Sequence, residues 1–356
     1  MSDNHPGPLP LDPPQDPTAA SRKEDHIELA FRSQVDRLAL DARFDYEPLL
    51  AAHPAPGSLT PVPFGGKTLR APLWVSSMTG GTEKAYVINQ NLARACAEFG
   101  LGMGLGSCRP LLYGKDRLRD FDVRPLTGDA VPLYTNLGVA QMEELLEAGH
   151  IEKVRQMNDL LRADGLIIHV NPLQEAMQPE GDRFRTSPLE TIRATLDALP
   201  DVPLIVKAVG QGMGPASMRA LLELPLLAVD TAANGGTNFA KLELLRSDEM
   251  LRRAYAPVVN LGHSVEEMVG MANARVAAAA APGGTPVRTG HLIASGGIRD
   301  FLDGYYLLER SALPAVYGQA SAFLRYARED YATLQRYVNT QLRGLELAYA
   351  YLRLRQ

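Results

Sequence analysis

Leu166-Ile167-Ile168-His169-Val170-Asn171-Pro172-Leu173-Gln174-Glu175 is an aliphatic run that breaks within one residue into a polar segment stopped by proline. A short run that is apolar throughout suits a strand buried on both faces of a parallel sheet. The side chains at its exit, a histidine, an asparagine, a glutamine and a carboxylate, are suited to chemistry on a small ligand. In α/β barrels such exits open onto the active-site face.

Outward from this segment the same punctuation recurs. Short apolar runs ending in glycine or polar residues alternate with segments of helical period, the pattern of a parallel sheet with crossover helices. Strands are expected at 73–78, 101–105, 133–136, 166–169, 204–207, 226–230, 292–294 and 315–317, and helices at 87–98, 190–199, 215–222 and 265–280 among others. Eight units favour an α/β fold of the closed (β/α)8 TIM-barrel type over an open doubly wound sheet. No dinucleotide glycine motif opens the first unit, which also argues against the open sheet.

The chain has 356 residues, 46% of them hydrophobic, enough for one large core. Residues 1 to about 20 hold Pro6, Pro8, Pro10, Pro13, Pro14 and Pro17 and almost no large apolar side chains, so a disordered tail is expected there. Residues 21–356 are expected to form one barrel domain with an N-terminal helical extension. Ser21 and Glu24 have capping-box spacing and place a helix start at residue 21. Arg22 and Lys23 would fall in its first turn, with His26 one turn later on the same side.

A net charge of −5 gives no basic field, so nucleic acid and anionic membrane are not expected partners. No run approaches the roughly 20 apolar residues of a membrane span and no signal pattern opens the chain, so a cytoplasmic protein is expected. Two cysteines, Cys96 and Cys108, make neither a disulfide framework nor a metal-ligand spacing.

Residue types at the strand exits mark the site. In chain order they are Thr79-Gly80-Gly81, Ser107 with Arg109, Asn136, His169 with Asn171, Lys207, Asn234-Gly235-Gly236-Thr237, Ser295-Gly296-Gly297-Ile298-Arg299, and Gly318-Gln319-Ala320-Ser321-Ala322. Glycine-rich turns that lead into helices present bare N–H groups, and the loops after strands seven and eight are where barrels bind phosphate. One Gly-Gly turn alone is an ordinary tight loop; repetition at successive exits carries the reading. Lys207 ends its apolar run either as an ion-paired structural lysine or as a fixed cation suited to an electron-rich ring, such as the N1–C2=O edge of a reduced flavin. Asn136 would serve the same ring as a neutral partner.

In their order these segments resemble the type 2 isopentenyl-diphosphate isomerases, flavin-dependent barrel enzymes, from residue 21 onward. The matching stretches are Arg22 to Ile27, Ser76 to Gly81, Gly106-Ser107-Cys108-Arg109, Asn136-Leu137-Gly138, His169 to Glu175, Gln178-Pro179-Glu180-Gly181-Asp182, Val206-Lys207, Gly235-Gly236-Thr237 and Ala294 to Arg299. The resemblance implies FMN held by Met78, Thr79, Gly80, Ser107, Asn136, Lys207, Thr237, Gly296, Gly297, Arg299, Gln319 and Ala320. It implies a diphosphate substrate surrounded by Arg22, Lys23, His26, Arg109, His169, Asn171 and Gln174, with Glu175 on Mg²⁺. It also implies NADPH as reductant and a homotetramer or higher homo-oligomer in which the N-terminal helix reaches across subunits. Arginine forks, lysine charges and a divalent ion are what a diphosphate demands.

The implied reaction converts isopentenyl into dimethylallyl diphosphate, adding one proton at the terminal carbon and removing another from C2 without net redox change. An unactivated alkene is a poor base, so the step needs a positioned acid and exclusion of water. Gln174 has no proton that titrates near neutral pH, and a metal-bound Glu175 is committed as a carboxylate. By elimination reduced FMN exchanges the protons, through N5, while His169 and Gln174 orient the substrate.

Several positions depart from the family pattern. Cys108 stands where glutamine is usual, Ala208 follows Lys207 in place of glutamate, Asp230 to Asn234 replaces a Ser-Gly-rich turn, Val258 to His263 differs, and a Gly-Gly-Thr-Pro insertion lengthens the loop near Gly283. Gly106-Ser107-Cys108 also suggests the cysteine nucleophile of inosine-monophosphate dehydrogenases, but the other motifs do not follow that order, and Cys108 is read as a packing residue. An FMN-dependent oxidoreductase of the 2-hydroxy-acid oxidase type is the alternative; its His-Gly-Gly-Arg segment does not occur. A flavin-binding protein without turnover is the third reading, opposed by the retained Arg22, His169, Gln174 and Glu175.

Overall fold

Eight strands pair in parallel all the way round and close a barrel in this computed structural model, which describes residues 18–355. They are Leu73–Val75 (β1), Gly102–Gly104 (β2), Leu133–Gly138 (β3), Gly165–His169 (β4), Leu204–Lys207 (β5), Ala228–Asp230 (β6), His291–Ser295 (β7) and Ala315–Gln319 (β8). All eight expected strands are present, in the ring order β7-β8-β1-β2-β3-β4-β5-β6. Helices cover the crossovers, with Pro215–Leu222 and Val265–Ala280 at the expected bounds and Glu83–Phe99 and Pro188–Ala198 within a few residues of theirs.

Side chains alternate along each strand, so one set fills the barrel and the other meets the helices. Ile167, Ile205, Ile293, Val316, Trp74 and Tyr134 form one buried cluster with Phe64 and Leu69. Phe64 and Leu69 come from the hairpin Val62–Phe64 and Lys67–Leu69. Its Gly65-Gly66 turn has φ of 58° and 78°, the left-handed pair that a two-residue hairpin turn needs. The Phe64 ring lies 5.1 Å from Trp74, so the hairpin plugs the end of the barrel opposite the strand exits.

The described chain divides into two compact units, one up to Phe44 together with Arg355, the other Asp45–Leu354. In the first, the helix spans Ala19–Leu29, two residues earlier than expected, with Thr18 at its N-cap. The Ser21 hydroxyl donates back to the Thr18 carbonyl (3.0 Å) and caps nothing, so the anticipated capping box does not form. Most of the proline-rich tail, residues 1–17, lies outside the described residues. No helix among the described residues is long and apolar enough to cross a membrane.

A candidate active site at the strand exits

The barrel register lines up the chemistry. Gly138 pairs with His169, His169 with Lys207, and Lys207 with Asp230, so the last residues of β4, β5 and β6 stand at one level around the rim. Above them lie an outer cavity of about 460 Å³ and an inner one of about 120 Å³. Both are lined by Ser77, Met78, Lys207, Val209 and Phe239, which makes them adjoining chambers of one site.

Backbone builds the outer chamber. Its wall includes Gly235, Gly236, Thr237, Gly296, Gly297, Arg299, Gln319 and Ala320, from the turns after β6, β7 and β8. Gly296 and Gly297 have φ of 99° and 77°, conformations that side-chain-bearing residues rarely adopt. A Cβ on Gly296 would stand 2.3 Å from the Ala233 backbone, so the two turns touch only because glycine is there. Bare N–H groups in such turns suit a phosphate, and Arg299 and Arg325 add positive charge to the lining. Gln319 is held by Tyr337, whose hydroxyl donates to its Oε1 (2.7 Å).

Side chains build the inner chamber, which is lined by Gly106, Ser107, Asn136, His169 and Gln174 besides the shared residues. His169 Nδ1 lies 2.7 Å from Asn136 Oδ1, so that nitrogen carries the proton and Nε2 is left as an acceptor. Burial first, and then the Lys207 charge, pushes the His169 pKa down to about 4, so the ring is neutral at pH 7. The turn after β4 starts the helix Pro172–Met177, with Asn171 at the N-cap and Pro172 in the first turn. Asn171 Nδ2 donates to Gln174 Oε1 (3.2 Å) and Glu175 Oε1 (2.7 Å). The second Glu175 oxygen accepts the Asp182 N–H (2.8 Å).

Asp182 ties this turn to β2 and β3. Its Oδ2 takes Arg109 Nη1 (3.1 Å) and Gln141 Nε2 (2.8 Å), while Gln141 Oε1 accepts the Gly138 N–H (3.1 Å). On the other flank buried Glu243 accepts from Gln178 (2.8 Å) and, at 3.5 Å, from Gln174. The Gln174 amide is therefore set by two neighbours and directed at the chamber.

Curated relatives decide the family. An isopentenyl-diphosphate delta-isomerase of Rickettsia felis is 32% identical over 333 residues, covering 92% of this chain and 90% of its own. One from a Nostoc species is 38% identical over 274 residues, 76% of this chain and 73% of its own. The chain belongs to the isopentenyl-diphosphate delta-isomerase family. No family model matches the chain. Among solved structures, a mandelate oxidase variant with (S)-mandelic acid superposes with TM-score 0.53 at 13% identity over 88% of this chain and 86% of its own. A flavocytochrome b2 variant with sulfite bound gives 0.53 at 12% identity over 86% and 70%. These likenesses establish a shared TIM-barrel fold.

Within the isopentenyl-diphosphate delta-isomerase family reading, the barrel brings together most of the expected residues. Met78, Lys207, Thr237, Gly296, Gly297, Arg299, Gln319 and Ala320 line the outer chamber; Ser107, Asn136, His169 and Gln174 line the inner one. Thr79, Gly80, Arg109, Asn171 and Glu175 line neither: a Cβ on Gly106 would meet the Thr79 backbone at 2.3 Å, one on Gly80 would meet the Phe121 ring, and Arg109, Asn171 and Glu175 stand behind the wall in the hydrogen-bond network of Asp182 and Gln174. Arg22, Lys23 and His26 are exposed on the helix of the N-terminal unit. Ser77, Asp182, Gln141, Glu243 and Asp230 escaped the sequence reading of the site. Of these, Ser77 and Asp182 lie in the matching motifs, and Asp230 figures there only as a strand end and as the start of a departure from the family pattern. Ser77 Oγ is buried at the junction of the chambers without a hydrogen-bond partner among the described residues.

Proposed function

We propose that the chain binds FMN in the outer chamber and, with the flavin reduced, converts isopentenyl diphosphate into dimethylallyl diphosphate in the inner one. The observation that carries this reading is that, among the described residues lining the inner chamber, none is a free proton donor suited to the alkene. His169 is neutral, Gln174 does not titrate, and Lys207 is held against the Ala208 carbonyl (3.0 Å). Reduced FMN, when bound, would supply the proton-exchanging group that the reaction needs.

The residues present fit such a group. Gly235, Gly236, Gly296 and Gly297 offer a backbone cradle for a phosphate, the Ser77 hydroxyl is unsatisfied at the chamber junction, and Lys207 supplies a buried cation. Mg²⁺ fits differently. Among the described residues no group of three or more His, Cys, Asp or Glu side chains is arranged to hold a metal. Mg²⁺ keeps several waters and binds through one or two carboxylates plus substrate phosphates, so Glu175 with the diphosphate is a sufficient set. NADPH enters only as a source of electrons.

The chain's own work is then binding and orientation. Arg109, His169 and Asn171 face the diphosphate. His169 accepts through Nε2, Gln174 aligns the alkene, and Met78, Val209 and Phe239 keep water from the carbon skeleton. A homotetramer or larger assembly in the cytoplasm belongs to the same proposal. The test is anaerobic incubation of the purified protein with isopentenyl diphosphate, Mg²⁺ and FMN, with and without dithionite or NADPH. Dimethylallyl diphosphate is expected only where the flavin is reduced. Product without flavin, or flavin reduction by a 2-hydroxy acid with no isomerisation, would overturn the reading.

A further inference from the structure

Strand β6 ends in a carboxylate that faces no substrate. Asp230 is fully buried and lines neither chamber, while its partner in the ladder, Lys207, lines both. Asp230 Oδ1 takes the Ala232 N–H (3.2 Å) and the Ser295 hydroxyl from β7. Its Oδ2 has no hydrogen-bond partner among the described residues. An uncompensated carboxylate in such a place is costly unless a nearby charge answers it. The ammonium one strand away is that charge.

We propose that Asp230 is a positioning residue whose carboxylate keeps Lys207 charged at the chamber floor, and thereby makes the site prefer reduced, anionic flavin over oxidised flavin. Burial pushes the lysine pKa down and Asp230 offsets part of that, while burial pushes the Asp230 carboxyl up and Lys207, Ser295 and the Ala232 N–H offset part of that in turn. His169 from β4 also pairs with Lys207 in the ladder and is neutral near pH 7, and Arg299 and Arg325, which line the outer chamber with Lys207, are cations that oppose its charge. Among the described residues lining the chambers or paired with Lys207 in the ladder, the carboxylate that favours it is therefore Asp230. The inference rests on the reading that the cavity holds FMN.

Two accounts of Asp230 predict opposite signs. If the carboxylate acted directly, Asp230→Asn would remove negative charge near the flavin and raise its midpoint potential. If it holds the lysine proton, the variant lets Lys207 go neutral and the potential falls. We expect reduced FMN to lose about tenfold in affinity relative to oxidised FMN, a midpoint lower by about 30 mV for a two-electron couple. The loss should be recovered as pH is lowered and Lys207 is protonated again.

The experiment measures oxidised FMN affinity by fluorescence titration and the midpoint by dye equilibration, for the unaltered protein, Asp230→Asn and Ser295→Ala. Ser295→Ala removes one donor to Asp230 and should lower the midpoint in the same direction by a smaller step, roughly threefold in relative affinity. It decides the matter if Asp230→Asn does not fold. Midpoints unchanged or raised in the variants overturn the proposal and leave the FMN site standing. Failure of the unaltered protein to bind FMN overturns both.

Discussion

The two chambers are built from opposite materials. The outer wall is backbone, made by glycine turns that approach one another more closely than any side chain would allow; the inner wall is side chains that bind one another before they bind anything else. A backbone wall is strict about what it holds, because its N–H groups and shape are fixed by the turns, and the side chains beside it, Lys207, Arg299 and Arg325, add charge. A side-chain wall selects protonation state and orientation. Affinity for a cofactor should therefore reside in the first and turnover in the second, and each substitution below should move one without the other.

The strongest test of that division is Gly296→Val. Its Cβ would collide with the Ala233 backbone at a φ of 99°, a strain of order 1–3 kcal/mol before any ligand is considered. FMN affinity measured by fluorescence should fall about 100-fold or more; unaltered binding would break the comparison. Gln174→Leu is the converse. It removes a directed amide from the inner chamber, and turnover should drop about 100-fold or more with FMN affinity intact. Full turnover in this variant would remove Gln174 from any essential role.

Asp182→Asn takes one partner from Arg109, whose ion pair with Asp182 is half exposed. KM for the diphosphate should rise several-fold with kcat nearly unchanged, a modest effect because exposed pairs are weak. A fall in kcat alone would place Asp182 in the chemistry. His169 gives the next prediction through pH. Its pKa is lowered from 6.5 to about 4, so the unfolded chain takes up this proton first as pH falls. The site's contribution to stability is intact above pH 6.5 and is lost between 6.5 and about 4. An NMR titration of the ring should have a midpoint near 4, and a midpoint above 6 would contradict the neutral assignment. The smallest effect concerns Cys108, which is buried, with its thiol pushed up to about 12 by burial. Iodoacetamide should leave it unmodified in the native protein at pH 8, and substrate-protectable labelling would revive a nucleophilic role.

Much of this division was legible in the chain. Aliphatic runs placed all eight strands because parallel strands buried on both faces leave no other pattern, and the residue just past each run is near the site by the geometry of the barrel. Lys207, His169 and Gln174 were found in that way. Asp230 closes a run like any other strand end, and only its pairing with Lys207 and Ser295 marks it out. Asp182 and Gln141 are ordinary loop and helix residues until the fold brings positions 109, 138, 141 and 182 together. The Gly65-Gly66 hairpin carried a readable turn signal, yet its strands of three residues each are too short for periodicity to reveal. At the N-terminus, Ser21 and Glu24 had the right spacing for a cap but fall inside a helix that begins at Ala19.

The central claim is that the inner chamber orients the substrate and leaves the proton to the bound flavin. It is tested most directly by giving the protein a reduced FMN analogue in which N5 is replaced by carbon, after binding to the outer chamber has been verified by titration. The account predicts full occupancy and no dimethylallyl diphosphate. Turnover at the rate seen with reduced FMN would contradict it and place the acid among the side chains.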